Sequence, residues 1–557
     1  MWATIRSPGP PARRDGFKLN TRHLMSAANT SVSTWAPLRI GVFRAIWLAV
    51  LVSNVATWMQ TVGAQWLLVN QPHASILVAL VQTADYLPDV LFGVVGGVLA
   101  DMFDRRRLLM AVQAFLVIAG TALAGLTFAG QMPPALLLTF TFLIGSGSVV
   151  LLPAYQSLVP DLVPRAQLHS AAALASISVN VARAAGPAIA GIVIARAGVG
   201  AVFALNTAMY LLFLVVLVAW RPPASATAKF PERFISALRA GGRYVRYAPV
   251  VRRILLRSAF FLVPASALWA LLPLIASQRL AQGADGYGLL LGALGIGAIA
   301  GGLVLPRIRR RLSINTLLAA SGIVYGVVLA AVVLVTNAIV ILVVLLPAGV
   351  AWMAVLSTIN GELQLFLPAW VRGRGLSVYQ TVLFGAQGFG ALVWGFIAAP
   401  AGIVPTFLIA AAAMLIGVAT MRFWPLIDTA GMDRSTVQYW PEPNLAIQTE
   451  PDDGPVVVQS VYTVAPDKEE PFLRAMSRVR LSRLRTGATQ WGLFRDGETP
   501  RKFVELYVVP SWEEHLRQHG DRLTGTDQQY EEAATAFSDL PEETSHFIAV
   551  ELPDFDV

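Results

Sequence analysis

Twelve apolar runs, each about as long as the roughly 20 residues a helix needs to cross a bilayer core, govern what this chain can fold into. They lie near residues 43–69, 75–100, 108–128, 134–159, 168–195, 199–220, 254–277, 287–308, 317–335, 338–367, 375–399 and 404–423. Only 13% of the residues are charged, against roughly 25% in soluble domains, so lipid rather than water is the solvent for most of the chain. The expected fold is an all-α membrane protein with twelve transmembrane helices in two six-helix halves, followed by a smaller α+β domain.

The basic residues give an independent check. Arg105, Arg106, Arg107, Arg165, the segment 221–257, Arg307, Arg309, Arg310, Arg311, Arg372 and Arg374 fall in alternate loops, whereas the other loops carry only Arg196 and Arg279. Counted as Lys plus Arg, the bias is 19 to 2, the positive-inside pattern with both termini cytoplasmic. The net charge of +9 therefore reads as loops facing anionic lipid, not as a nucleic-acid surface. The chain has no cysteine, which excludes disulfides, thiolate metal sites and Cys nucleophiles. The polar, basic segment 1–37 reads as a disordered cytoplasmic tail, because the first apolar run begins too late and runs too long for a signal peptide.

The longest basic loop, 221–253, separates 38–220 from 254–424. Within it, 231–246 sets Phe234, Leu238 and Val245 to one side and Arg233, Arg239, Arg243 and Arg246 among the rest, which suits either a helix on the inner membrane surface or a solvated linker helix. The halves echo one another at an offset of about 205 residues. Gly96-Gly97 and the following Arg cluster return as Gly301-Gly302 and Arg307–Arg311. Gln156 and Pro160 return as Gln364 and Pro368, and Gly186 and Gly191 as Gly390 and Gly395. Such a repeat fits parallel halves related by an axis along the membrane normal.

The stretch Gly93 to Arg107, with Gly93, Gly96, Gly97, Asp101, Arg105 and Arg106, resembles motif A of the major facilitator superfamily, with Asp104 where the motif has Gly. Ala182 to Gly191, containing Gly186, Pro187 and Gly191, resembles the superfamily's antiporter motif in span 5. The wording of the first two spans, Ser53-Asn54 through Trp58-Met59-Gln60 to Leu87-Pro88, is similar to the bacterial transmembrane secretion effector branch. The resemblance implies a secondary transporter of the bacterial inner membrane that exports a small amphipathic organic molecule such as a siderophore, drug or metabolite. It implies that motif A is a latch, Asp101 facing the N-terminal end of span 11 near Gly375 while the arginines bind lipid phosphate or an acid. It also implies that spans 1, 4, 7 and 10 line the cavity, where Trp58, Gln60, Gln65, Tyr155, Trp269, Asn360 and Glu362 stand. Thr141 occupies the span-4 position at which proton–drug antiporters carry Arg, so their coupling scheme does not transfer directly.

Ionisable groups at membrane depth are functional candidates by their cost. Asp85 and Asp89 lie four residues apart on one face of span 2, and Arg183 lies mid-span in span 5. The expectation is that one of these acids pairs with Arg183 and couples proton movement to the conformational switch, or else that the pair is a static clamp between helices. Glu362 reads as a gate near the cytoplasmic mouth or as a side chain reaching the headgroups.

After residue 424 the composition turns polar. Residues 425–455 read as a linker, and 456–557 as a ferredoxin-like unit in βαββαβ order, with strands at 456–464, 488–495, 502–509 and 545–552 and helices at 466–485 and 511–522. The unit is similar to antibiotic-biosynthesis-monooxygenase-like domains, which implies a dimerising or regulatory module. The alternative is a membrane-tethered enzyme or sensor working through this domain. His515 and His519 are one turn apart, but with no third ligand in view they read as a polar helix surface. Hence no metal, no cofactor, no catalytic residue and no Walker A phosphate loop are expected, and the partners are the lipid bilayer and a small-molecule substrate.

Overall fold

The computed structural model describes residues 33–220, 234–429, 431–440, 443, 445–540 and 543–550. Nearly all of the expected N-terminal tail, the segment 221–233 and residues 551–557 lie outside the described residues. So do the side chains of Gly97, Asp101 and residues 234–240.

The membrane part runs α1 (Gly41–Leu68), α2 (Ala74–Met102), α3 (Arg105–Phe128), α4 (Pro134–Leu162), α5 (Leu168–Ala219), α6 (Phe234–Tyr247), α7 (Pro249–Leu274), α8 (Ala284–Arg309), α9 (Ile314–Leu334), α10 (Ala338–Phe366), α11 (Ala369–Ala401) and α12 (Ile403–Ala419). Among the described residues, eleven helices are long and apolar enough to cross a membrane. The expected fifth and sixth spans are continuous in α5, but its 52 residues are interrupted at Gly198, whose φ of 80° and ψ of 171° are not helical. Only glycine adopts that φ without steric cost.

Among the described residues, the two halves share a buried core at one end but not at the other. One buried cluster takes Met59 to Val69 of α1, Ala74 to Val81 of α2, Leu116 to Ala124 of α3 and Ala190 to Tyr210 of α5 together with the core of the second half. A second cluster holds the opposite ends of the first-half helices, with Phe43, Ile46 and Trp47 of α1, Tyr155 and Leu158 of α4, and Phe213 and Leu217 of α5, and has no second-half member. The joined end is the arginine-poor one.

Glycine makes that joint close. A Cβ built on Gly191 of α5 would stand 2.5 Å from the Ala284 carbonyl oxygen of α8, and one on Gly288 of α8 would stand 2.5 Å from the Pro187 oxygen. On the other side of the molecule, a Cβ on Gly395 of α11 would meet the Ala79 methyl of α2 at 2.5 Å, and Thr83 Oγ1 donates to the Gly388 carbonyl at 3.0 Å. In lipid, where apolar surface gains nothing by leaving solvent, such backbone proximity is what holds helices together.

The basic end is stabilised by caps. Asp104, which replaces the glycine of the motif, accepts from Arg107 N at 2.8 Å and so caps α3. Arg106 donates to the Leu217 and Val218 carbonyls, each at 2.9 Å, at the C-terminal end of α5, where a cation meets the negative helix end. In the second half, Arg257 of α7 binds the Gly417, Thr420 and Trp424 carbonyls at the end of α12. The expected partner of Arg106, a lipid phosphate or an acid, is thus replaced by a helix terminus. Span 11 begins at Ala369 rather than Gly375 because Pro368 sits at the N-cap.

The soluble domain contains β1 (Val456–Thr463), α13 (Glu469–Thr486), β2 (Gln490–Arg495), β3 (Lys502–Val509), α14 (Trp512–Arg517), α15 (Gly525–Thr535) and β4 (Glu543–Ile548). Its antiparallel sheet has the order β2-β3-β1-β4, with Val456 opposite Val509 and Tyr462 opposite Phe503. Alternate residues of β1 and β3 are buried under the helices. The helix expected at 511–522 ends at Arg517 in a π-helical turn, Gln518–Arg522, and α15 was not anticipated.

The domain is docked on the bundle. α6 is not laid on lipid along its described side chains: Gly241 abuts the Arg374 side chain of α11, Tyr244 is buried, and Arg485 of α13 lies over the Tyr244 ring. Arg243 pairs with Glu514 at 3.7 Å, and Arg522 lies over Trp370 at the start of α11. The linker is strapped down as well, since Asn315 of α9 both donates to and accepts from the backbone of Leu426.

Because the chain has no cysteine of its own, the joint can be tested by single-cysteine labelling. Ala284→Cys should be protected in the parent background. Gly191→Val inserts atoms where backbone stands, a misfit worth roughly 1–3 kcal/mol, and should accelerate labelling at 284 by about tenfold. Unchanged protection would mean that the seal does not rest on this contact.

Candidate functional site

At the level where the two halves meet, aromatic side chains form a continuous column across the boundary. Trp58 of α1 lies 5.7 Å from Trp269 of α7, and Trp269 lies 5.2 Å from Trp352 of α10. Phe261 and Tyr325 extend the column at 6.0 and 6.3 Å from Trp352. The Arg183 guanidinium of α5 stands over the Trp58 ring at 5.7 Å, an attraction between cation and ring quadrupole that strengthens away from water. Gly186, one turn on from Arg183's neighbours, is needed because a Cβ there would stand 2.6 Å from Trp58 Cβ.

A polar clasp flanks the column. Tyr287 of α8 donates to Gln65 Oε1 at 2.6 Å, and Gln65 Nε2 donates to the Trp269 carbonyl at 3.3 Å. Trp66 stacks on Tyr287 at 6.0 Å. The buried donors Arg183 Nε and Trp352 Nε1 have no hydrogen-bond partner among the described residues. Buried donors without acceptors are costly, and two beside an aromatic wall ask for oxygen atoms that a bound molecule can bring.

The carboxylates stand on the adjoining helix. Asp85 accepts from Thr61 Oγ1 of α1 at 3.5 Å. Its backbone oxygen faces Gly145 of α4, where a Cβ would stand 3.0 Å away. Among the described residues no ion pair joins Asp85 or Asp89 to Arg183. The expected pairing is therefore not formed in this state, in which Trp58 holds the guanidinium instead. Tyr86, between the two acids, packs on Phe384 of α11 at 5.4 Å, so α2 touches the second half through the residue next to Asp85. Thr141 is buried and returns its hydroxyl to Leu137 O at 2.9 Å.

The other expected cavity residues disperse. Gln60 is buried inside the first half, bonded to Asn206 and approached by Tyr210 OH at 3.5 Å. Tyr155 is buried in the core of the first half's basic end. Asn360 accepts from Gln364 one turn along α10. Glu362 lines a separate cavity of about 310 Å³ with Asn315, Leu426 and Thr429 at the basic end. Of the antiporter-motif residues, Gly186 faces Trp58 while Pro187 and Gly191 face α8. Trp352, Tyr325 and Tyr287 were missed. Trp352 carried the same signal as Trp269, an indole on a span already assigned to the cavity.

The soluble domain holds its own polar core. Arg483 pairs with Glu505 at 3.1 Å and Glu531 at 2.9 Å, all buried. Burial alone would lower the Arg483 pKa, but the two carboxylates hold it well above the usual guanidinium value. Glu505 also accepts from Trp491 Nε1 and Tyr462 OH, and Glu531 from Trp440 Nε1, so this charged core is hydrogen-bonded on several sides, as buried ion pairs require.

The transmembrane secretion effector family model matches residues 32–553. A staphyloferrin A transporter of Staphylococcus aureus is 25% identical over 360 residues, covering 64% of this chain and 89% of that protein. An enterobactin exporter of Shigella boydii is 29% identical over 267 residues, covering 47% of this chain and 62% of that protein. Among solved structures, a bacterial homologue of the human lysosomal transporter Spinster, inward-facing and occupied, superposes with a TM-score of 0.57 at 15% identity over 70% of this chain and 97% of that one. The relatives named are transporters, not enzymes. A multi-pass bundle in two halves, an arginine and indoles where those halves meet, and a family match across nearly the whole chain agree: this chain belongs to the transmembrane secretion effector family of transporters.

Proposed function

We propose that the chain is a proton-coupled exporter of an oxygen-rich, partly aromatic, anionic organic molecule of the siderophore class, bound between the halves at the Arg183–Trp58–Trp269–Trp352 column. The observation that carries this reading is the column itself. It crosses from one half to the other, and it combines a stacking wall with a cation and unpartnered donors. Indole faces suit a flat ring, and Arg183 Nε and Trp352 Nε1 suit carboxylate or catecholate oxygens. Two relatives named for staphyloferrin A and enterobactin support the same class.

In this reading α5 is two crossings hinged at Gly198, giving twelve, with the basic end cytoplasmic. A 52-residue helix would be about 78 Å long, more than twice a hydrocarbon core of about 30 Å. The end sealed by glycine contacts then faces outward, which is an inward-facing state ready to load substrate from the cytoplasm. Asp85 and Asp89 are the proton carriers. Protonation removes charge from α2 next to Tyr86, whose packing on α11 changes as the halves rock. When the acid is ionised and Arg183 leaves Trp58, the two can meet. The ionised carboxylate and an anionic substrate thus compete for Arg183, which ties substrate binding to the protonation state of α2. Motif A, through Asp101 and the Arg106 cap, holds the basic end.

The soluble domain is assigned a ferredoxin-like fold on its strand order. Its uncovered sheet face, with Val461, Val504, Phe494 and Phe547, is assigned to pairing with a second copy. Phe494 and Phe547 are about half exposed, at 54% and 52%.

Two experiments test this. In proteoliposomes, one-for-one proton exchange under an imposed gradient of about one pH unit sustains about a tenfold substrate gradient. Asp85→Asn should abolish that uphill accumulation while leaving downhill counterflow. Retention of proton-driven accumulation in both Asp85→Asn and Asp89→Asn would sink the coupling assignment.

For binding, Trp269→Ala and Trp352→Ala should each weaken substrate affinity by about 3- to 10-fold, the worth of an aromatic contact. Arg183→Gln should weaken an anionic siderophore more than a neutral drug. Equal losses for both ligands would remove the anionic assignment but not the site.

A further inference from the structure

We infer that His515, His519 and His546 form a binding site for a divalent first-row transition-metal ion in the soluble domain. The three imidazoles offer ligand nitrogens that all lie within 4.8 Å of one another. His515 is fully buried on α14, His519 sits in the π-helical turn that follows, and His546 comes from the helix-covered face of the edge strand β4, opposite Val458. The sequence offered the first two ligands, and the fold supplies the third.

The distances suit a metal. His515 Nε2 and His519 Nε2 are 3.2 Å apart, and two nitrogens bound to one tetrahedral ion at about 2.05 Å stand about 3.3 Å apart. His546 Nε2 is buried with no hydrogen-bond partner among the described residues, so a side-chain rotation toward the pair gives it a role it otherwise lacks. His515 Nδ1 faces Gln518 Oε1 at 3.4 Å, and Gln518 is held in turn by Thr486. That contact favours the tautomer whose Nε2 lone pair points at the cluster, as an outer-shell partner does in established sites.

The surroundings agree. Trp512 packs on His515 and His546 at 5.3 and 6.1 Å, and Trp440 packs on His519 at 5.0 Å, which shields the site from bulk water. The nearby cations are neutralised, Arg483 by Glu505 and Glu531 and Arg522 by Glu514. Three neutral imidazoles with no thiolate select Zn(II), Cu(II), Ni(II) or Fe(II) over calcium or magnesium, and they leave a coordination position for water or another ligand. α14 also carries Glu514, which holds Arg243 of α6, so the ion sits one residue from the contact between domain and bundle.

The test uses the full-length chain in detergent, purified without a histidine tag and stripped by chelator. Zn(II) titration should show one site tighter than about 1 μM. His546→Ala and His519→Ala should each weaken it by at least about 100-fold, whereas His73→Ala, at the far end of the bundle, should change nothing. Cu(II) bound to the unmutated chain should show three imidazole nitrogens by electron paramagnetic resonance, a readout that does not depend on a variant folding. A hydrogen-bonded imidazole cluster only, seen as no stoichiometric binding or as affinity unchanged in the His519→Ala/His546→Ala double variant, overturns the proposal.

Discussion

The close approach of α5 to α8 and of α2 to α11 is the contact on which the rest of the molecule depends. Gly191, Gly288 and Gly395 bring backbone against backbone or methyl at separations that a single Cβ would spoil. Between lipid-solvated helices there is no general hydrophobic gain to hold two halves together. The seal must be dense to exist, and a dense seal between rigid bundles is broken along its whole length or not at all. That makes the junction bistable, the property a transporter needs.

The candidate transport site hangs on that junction. The indole column crosses it, and Arg183 is placed by the same helix that supplies Gly191. Tyr86 carries the acid-bearing α2 onto α11 from the opposite side. Among the described residues, the soluble domain and its linker meet α6 and second-half elements, through Arg243, Trp370 and Asn315. It can therefore move with one half without bridging the two, and a rigid domain that spanned both would have locked them.

How much of this was legible in the sequence divides along physical lines. Crossing helices are written in runs of apolar residues because solvation by lipid is a local demand, so the long apolar helices could be read off. Glycine pairs such as Gly186 and Gly191 were legible as close contacts for the same reason. Side-chain partners were not. Gln60 and Trp58 are two residues apart on α1, yet one is tied into the first half by Asn206 and the other reaches Trp269, because 200° of helical rotation separates them. Arg106 was expected to meet an anion and instead caps a helix whose end lies 111 residues away. In the soluble domain, His546 is 27 residues from His519, and only the return of β4 beside β1 brings it under α14.

Replacement of the motif's glycine by Asp104 illustrates how a departure from a pattern can preserve its purpose. A glycine at the tight connection between α2 and α3 supplies conformational freedom. Asp104 has φ −56° and ψ 118°, which any residue adopts, and its carboxylate satisfies the α3 amide at Arg107. The turn is thus secured by a side-chain acceptor rather than by backbone freedom. The carboxylate also sits beside Arg105, Arg106 and Arg107 in the chain and moderates their mutual repulsion at the start of a helix, where the macrodipole already disfavours cations. Arg106 escapes that unfavourable end by reaching the C-terminal carbonyls of α5, where its charge is welcome. The same two residues therefore close the turn and fasten α3 to α5, which keeps the first half rigid at the end where it stands apart from the second.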